Sequence, residues 1–395
     1  MSQVLNNVYN TVSFGLHLNT EAIARLQEQA STGAKINRAS DGPSAAYQIL
    51  GLNSHERDLE NYIDNLSNVV STLGLSSSII ENITSAITKV KTDLTQIISG
   101  IYDDEARKRT SNSIDNTLEH IVSLANTKHM NQYIFGGSNT ASAPYVVTRT
   151  NGQITSVTYQ GSDLERNIEV APGLNSSAFY IGDEIFRSDN RSAPTFLGNT
   201  GAKAGTGTSS VQGDVWLTVT GSPENYLLSI DGGLTTFNTD GTDTNLAVTD
   251  SRTGQVLYVD CTEIATTGDD MVRTPGTYDV FSTLIRIRDI LKNEKGLSEA
   301  RIQQLLANSS FNPLDEVNNL LVQTQVSIGS RIGFLDDLEN SLNDLKYNAE
   351  DEATRLQEAD IAQIAIDLSR RNVLYQMSLS VAAKLMSMSL LDFLR

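Results

Sequence analysis

The chain has 395 residues, enough for two or three domains. Its formal charge is −18, from 29 Lys and Arg against 47 Asp and Glu, with no basic patch; this argues against nucleic acid and against anionic membrane as partners. Aromatics make up 6% with one Trp, so the cores must be aliphatic, and the lone Cys261 rules out an intrachain disulfide or a multi-cysteine metal site.

The opening Met1-Ser2-Gln3-Val4-Leu5-Asn6-Asn7 has neither a basic nor an apolar region of the kind a cleavable signal peptide needs. No run of 18 apolar residues exists, so no membrane-spanning helix is expected. In residues 1–30, Leu5, Val12 and Leu26 stand at multiples of seven, with Asn19 filling the gap. Tyr9, Leu16, Ile23 and Ala30 form a second row at sevens, which makes an a/d-type helical seam. The rhythm stops over residues 31–43. Gly33 is placed to end the first helix with a positive φ, and Asp41-Gly42-Pro43 to start the next. The irregular link between them is a hinge candidate built on Gly33, Asp41, Gly42 and Pro43.

Residues 44–99 carry the most regular pattern. Leu52, Leu59, Leu66, Leu73, Ile80, Ile87 and Leu94 are spaced by seven without exception. Their companion row drifts from Ile63 and Val70 to Ile83, Val90 and Ile97, as a 3.6-residue helix does against a 3.5 repeat. Gly100 stops this helix, and acids at 103–105 open a third one that runs to about Lys128.

Composition then changes. Residues 131–277 hold 18 of the 27 glycines and five of the seven prolines. Short β-type runs at 154–159, 215–220, 226–230 and 255–259 alternate with turn signals, and Asn151-Gly152 and Asp231-Gly232-Gly233 fit tight hairpins. Residues 198–213, rich in Gly, Thr, Ser and Ala, read as mobile. Helix returns near Tyr278, and Asn312-Pro313 opens a long stripe from Val317 to Leu345.

The last stretch has its own stripe: Ile361, Ile364, Leu368, Tyr375, Leu379, Ala382, Met386, Leu390 and Phe393 recur at steps of three, four or seven. Two terminal seams of similar length suggest that the ends pair. Isolated helices of this kind are marginal in water, so both ends are expected to order only on assembly. The fold expected is α+β: a long helical coiled-coil or bundle rod built from both chain ends, with an all-β domain inserted in the middle. Its divisions are a terminal coiled coil (1–35 and 360–395), a helical rod (36–130 and 278–359) and a β-rich domain (131–277).

The search for chemistry finds little. His55-Glu56-Arg57-Asp58-Leu59 begins like a zincin helix, but Leu59 stands where the second metal-binding His is required. Cys261 has no His close in sequence, and the acids at 240 and 243 lack EF-hand spacing. No enzyme activity, cofactor or metal is expected. What remains is apolar surface on long helices, which marks an interaction site.

Ser31-Thr32-Gly33 together with Ser40-Asp41-Gly42-Pro43-Ser44-Ala45-Ala46, and the two helical arms around them, resemble the bacterial flagellin superfamily. Within it, Tyr133, Phe135, Gly136 and Gly137 of Asn131-Gln132-Tyr133-Ile134-Phe135-Gly136-Gly137 resemble the signature of its hook-filament junction branch, as does the ending Tyr375-Gln376-Met377-Ser378-Leu379 with 389–394. Gly42 replaces an acid usual before the proline, Met377 stands where a small residue is usual, and Arg395 extends the ending. The resemblance implies an extracellular structural part of the bacterial flagellum, exported by its type III pathway. It would join a hook-side junction protein (hook-associated protein one) to flagellin and pair with copies of itself after leaving an export chaperone. The alternative is flagellin, the filament subunit. Assembly would fall to Leu5, Tyr9, Val12, Leu16, Ile23, Leu26, Ile361, Ile364, Leu368, Tyr375, Leu379, Met386, Leu390 and Phe393.

Overall fold

The structure is a computed structural model that describes residues 2–99, 104–309 and 311–393, with side chains described for 7, 10–98, 104–307 and 311–384. Contacts divide the chain into two compact units, Met1–Asp64 with Leu338–Arg395, and Asn65–Asp337. The boundaries expected near 35 and 360 fall inside the first unit, and those near 130 and 278 inside the second.

In the first unit, helix α1 (Ser2–Thr32) packs on helix α8 (Ile361–Phe393). Both arms are helical within the single chain, against the expectation that they need assembly to order. Each supplies the other with a partner for one apolar stripe, which removes the reason for an isolated amphipathic helix to melt. The unit also takes the first part of α2 (Pro43–Ser99) and the last part of α7 (Phe311–Gln357). Leu59, Leu342, Ala349 and Ala353 are buried there, and Lys346 pairs with Glu60 at 3.2 Å.

In the second unit the heptad row of α2 is core: Leu66, Leu73, Ile80, Ile87 and Leu94 are buried, and so are Ile83, Val90 and Ile97. Val317, Leu321, Ile328 and Leu335 of α7 are buried as well, and Lys91 of α2 pairs with Asp315 of α7. Helix α3 (Asp104–Ala125) contributes Ile114, Leu118 and Ile121, and packs on α5 (Val280–Lys292). Pro313 lies in the first turn of α7, where its missing N–H costs nothing.

The β region follows α3. A two-residue pair, β1 (Lys128–His129) with β2 (Gln132–Tyr133), leads to two hairpins, β3 (Tyr145–Thr150) with β4 (Gln153–Tyr159) and β5 (Arg166–Ala171) with β6 (Leu174–Phe179). A short helix α4 (Gly182–Phe186) comes next. The remaining strands are β7 (Thr195–Leu197), β8 (Lys203–Ala204), β9 (Gly213–Ser222), β10 (Asn225–Ser229), β11 (Phe237–Thr239), β12 (Leu246–Thr249), β13 (Val256–Asp260) and β14 (Gly268–Thr274). They form a five-stranded antiparallel sheet in the order β11-β10-β9-β14-β7 and a three-stranded one in the order β12-β13-β8. Leu217, Val219, Leu228, Val248, Leu257, Val259, Cys261 and Val272 fill one shared core.

Three local expectations differ from the structure. Residues 198–213 are held in place: Thr200, Ala202, Ser209 and Val211 are buried, and β8 pairs with β13. The Asp270 carboxylate accepts hydrogen bonds from the Asn199 N–H at 3.0 Å and from the Thr200 hydroxyl, while Arg191 donates to the Ser209 and Val211 carbonyls. The small residues serve close approach, since a Cβ on Gly201 would lie 1.9 Å from the Glu263 carbonyl oxygen. Asp231-Gly232-Gly233 is not a two-residue turn, because β10 ends at Ser229 and β11 starts at Phe237. The Asp231 carboxylate organises this longer loop by accepting from Ser229, Thr235 and Ser251. Helix α6 (Glu299–Ser309), which the apolar rhythm did not indicate, buries Ile302, Leu305 and Leu306.

Candidate assembly surface

Two linkers set the geometry of the terminal arms. Gly33 takes φ 72° just after α1, the left-handed conformation that glycine adopts without a Cβ penalty. The chain then runs beside the segment that joins α7 to α8: Lys35 N–H donates to the Gln357 carbonyl at 2.6 Å, and Ala359 N–H donates to the Gly33 carbonyl at 3.0 Å. This antiparallel bridge centres on Ala34 and Glu358. Asp41 braces the loop. Its carboxylate accepts the Asn37 and Arg38 N–H groups at 3.2 and 3.0 Å and pairs with Arg25 at 3.1 Å. Gly42 and Pro43 then lead into α2.

Between the arms, Val12, Leu16, Ile23 and Leu26 of α1 and Leu368 and Tyr375 of α8 are half-buried, and Ile364 is buried. Arg371 donates to the Asn19 side-chain oxygen at 3.2 Å, so Asn19 fills its seam position with a cross-helix hydrogen bond. Ile361 and Leu379 are exposed, at the edge of the pairing stripe rather than within it. The side chains of Leu5, Tyr9, Met386, Leu390 and Phe393 lie outside the described residues.

The arms also carry apolar side chains that the seam reading passed over. Phe14 and Leu18 on α1, and Ile366, Val373, Leu374, Met377 and Val381 on α8, are all exposed. The α8 residues Ile366, Val373, Met377 and Val381 share a face opposite Ile364, Leu368 and Tyr375, since seven and four residues return to nearly the same angle on a 3.6-residue helix. Their signal was a second three-four rhythm, hidden because the first was read as the whole pattern. Large apolar side chains aligned on the outside of a helix pair are what an interaction surface supplies.

The Tyr-x-Phe-Gly-Gly stretch lies in the second unit, where it turns the chain from α3 into the β region. Phe135 is fully buried and meets Phe186 edge-on at 5.2 Å, within a cluster that includes Tyr145 and Phe281. Gly137 takes φ 60°, and a Cβ there would lie 2.5 Å from the Ser162 carbonyl oxygen; at Gly136 it would lie 2.2 Å from that of Asn139. Tyr133 is half-buried, with the Lys128 ammonium 4.5 Å from its ring centre. These residues build a structural corner and not a binding pocket.

Among the described residues no group of three or more His, Cys, Asp and Glu side chains is placed to hold a metal ion. Cys261 is buried in the β core, and burial pushes its thiol up to about 11, which suppresses the reactive thiolate. Asp240 is engaged by Thr242, and Asp243 by Thr239. No described helix is long and apolar enough to cross a membrane.

Residues 4–140 match the family described as the bacterial flagellin N-terminal helical region. Flagellar hook-associated protein 3 of Escherichia coli (strain K12) is 27% identical over 162 residues, which cover 41% of this chain and 49% of that protein. The chain thus spans about half the length of the curated relatives it matches. Among solved structures, flagellar hook associated protein-3 from Legionella pneumophila superposes with a TM-score of 0.54 at 18% identity, covering 78% of this chain and 98% of that one. FlgL from Xanthomonas campestris gives a TM-score of 0.51 at 20% identity, with coverages of 76% and 97%. The N-terminal arm is thus similar to the bacterial flagellin N-terminal helical region, and the chain has the α+β fold of these FlgL and hook associated protein-3 structures.

Proposed function

We propose that the chain is a structural, non-catalytic axial component of the bacterial flagellum that forms the hook-filament junction. It connects the hook-side junction protein to flagellin, and its copies contact one another around the axis. The observation that carries this reading is the outward apolar face of the paired arms, in a chain similar to hook-associated protein 3. A helix pair with Phe14, Ile366, Met377 and Val381 turned to water is incomplete alone and is completed by neighbouring subunits.

In this reading residues 1–35 and 360–395 form the inner coiled coil, 36–130 with 278–359 the helical rod, and 131–277 the solvent-facing domain. The seam residues from Leu5 to Leu26 and from Ile361 to Phe393 carry assembly, and Gly33, Asp41, Gly42 and Pro43 set the angle at which the arms leave the rod. The subunit travels unfolded through the flagellar type III pathway, held beforehand by an export chaperone, and it works outside the cell. Deletion of the gene tests the proposal. The expected result is flagellin shed into the medium with hooks left bare; attached filaments of normal number would overturn it. A filament subunit is the second reading, favoured by Gly42, Met377 and Arg395, and it predicts thousands of copies along each filament instead of a narrow zone.

A further inference from the structure

A cleft of about 610 Å³ opens in the second unit where helix α5 meets β4, β9 and β14. That is the size of an ordinary small-molecule site. Trp216, the sole tryptophan, lines it together with Met271. The two are register partners on β9 and β14. Strand alternation turns them to the face opposite Leu217 and Val272, which fill the β core. Asn293 caps α5 at φ 54°, and the turn after it brings the Lys295 ammonium to 4.6 Å from the Trp216 ring centre. An apolar floor is therefore held beside fixed charge.

The carboxylates around this floor are mostly committed. Asp289 takes the Arg288 guanidinium at 2.8 Å, and Asp269 takes Lys295 at 3.2 Å. Asp214, on the sheet face that carries Trp216, accepts from the Tyr278 hydroxyl at 2.5 Å and lies 3.5 Å from Arg273. Asp250 accepts the Arg252 N–H at 2.7 Å within its own loop. Among the described residues this leaves two guanidinium groups of the cleft, half-buried Arg286 and exposed Arg252, without a carboxylate partner, in a chain whose formal charge is −18. Gln212 and Gln255, also in the wall, have side-chain amides that can both donate and accept.

We propose that this cleft binds an acidic saccharide, a short chain of uronic-acid units. A pyranose ring presents C–H bonds on its faces and hydroxyls at its edge, which suits the Trp216 platform with amides around it. Arg286 and Arg252 take the carboxylates, since a guanidinium fork matches a carboxylate in two parallel hydrogen bonds. A nucleoside triphosphate suits the cleft less. Asp289 and Glu294 line it too and repel clustered negative charge, whereas a uronic acid carries one charge per ring.

Titration of the purified full-length chain tests the proposal, because Trp216 alone supplies the tryptophan emission. The probes are trimers of galacturonic acid and of mannuronic acid and a hyaluronan hexasaccharide, with maltotriose and ATP as controls, and each titration is repeated by calorimetry. At least one acidic probe should shift the emission saturably and release or absorb heat, with maltotriose at least about tenfold weaker. Arg286→Gln and Arg252→Gln should each weaken that probe at least about tenfold while the thermal melt stays unchanged. No response to any acidic probe by either method overturns the inference. So do maltotriose or ATP binding as tightly as the best acidic probe, and full affinity in both arginine variants. The inference is independent of the assembly reading: a gene deletion that leaves filaments attached would remove that reading and not this one.

Discussion

Met377→Asp separates assembly from folding. Met377 is 61% exposed on α8, away from the α1 seam. Substitution at such a site changes the stability of the free chain by about 0.5 kcal/mol, mostly through helix propensity. In an assembly the same side chain is covered. Burying a whole Met side chain is worth about 1.5–3 kcal/mol, so the remaining exposed part offers roughly 1–2 kcal/mol per copy. An aspartate forfeits that and brings a carboxylate out of water without a partner, which costs roughly 3 kcal/mol more. The loss of about 4–5 kcal/mol is around a thousandfold in the contact's association constant. The assay pairs thermal melting of the purified chain, followed by circular dichroism, with counts of attached filaments in cells. The account predicts an unchanged melt and bare hooks. Normal filaments would refute the reasoning, and so would a melt that drops as far as that of Ile364→Asp, which breaks the buried α1–α8 seam.

Arg288 is fully buried in α5 and donates to Asp115 and to the Ile154 carbonyl, both at 2.7 Å. Arg288→Ala leaves Asp115 without this partner and should cost roughly 3–5 kcal/mol in a denaturant titration. Gly137→Ala introduces a Cβ into a space closed by the Ser162 and Leu164 carbonyl oxygens at positive φ, and should lower stability by about 1–3 kcal/mol or more in the same assay. Burial pushes the Asp231 carboxyl up, but hydrogen bonds from Thr235, Ser251 and Ser229 outweigh it and hold the group well below the usual carboxylate range. A lowered folded-state value contributes stability above the unfolded value, near 3.9, that is lost as pH falls through the folded one; melting of the β region should therefore fall below about pH 4, less steeply in Asp231→Asn. Cys261 should resist a thiol reagent in the native chain and react fully in denaturant; fast native labelling would contradict its burial.

The helical part of the fold was legible because its cores are periodic. The row from Leu59 to Leu94 is buried in the structure as its sevens imply, and Gly33 and Pro43 bound α1 and α2 as their backbone preferences require. The β region was legible as a class but not strand by strand. Strands such as β5, β6 and β14 mix Arg, Asn, Asp and Ser into their runs, and their stability comes from pairing across the sheet, which one sequence does not display. The Gly-rich segment 198–213 misled because small residues suit both mobility and close packing; only Asp270, distant in sequence, decides between them. Helix α6 had a local signal, Ser298 followed by Glu299, which the weaker apolar rhythm concealed. On the arms, the inward stripe was read and the outward one missed, since a helix with apolar residues on opposite sides gives two interleaved rhythms that a single template merges.

The most direct test of the central claim is the position of this chain on isolated flagella, read by immunogold labelling of the β region. The account predicts a single narrow band where hook meets filament. Label along the whole filament would make the chain a filament subunit, and no label on the flagellum at all would contradict the axial role itself.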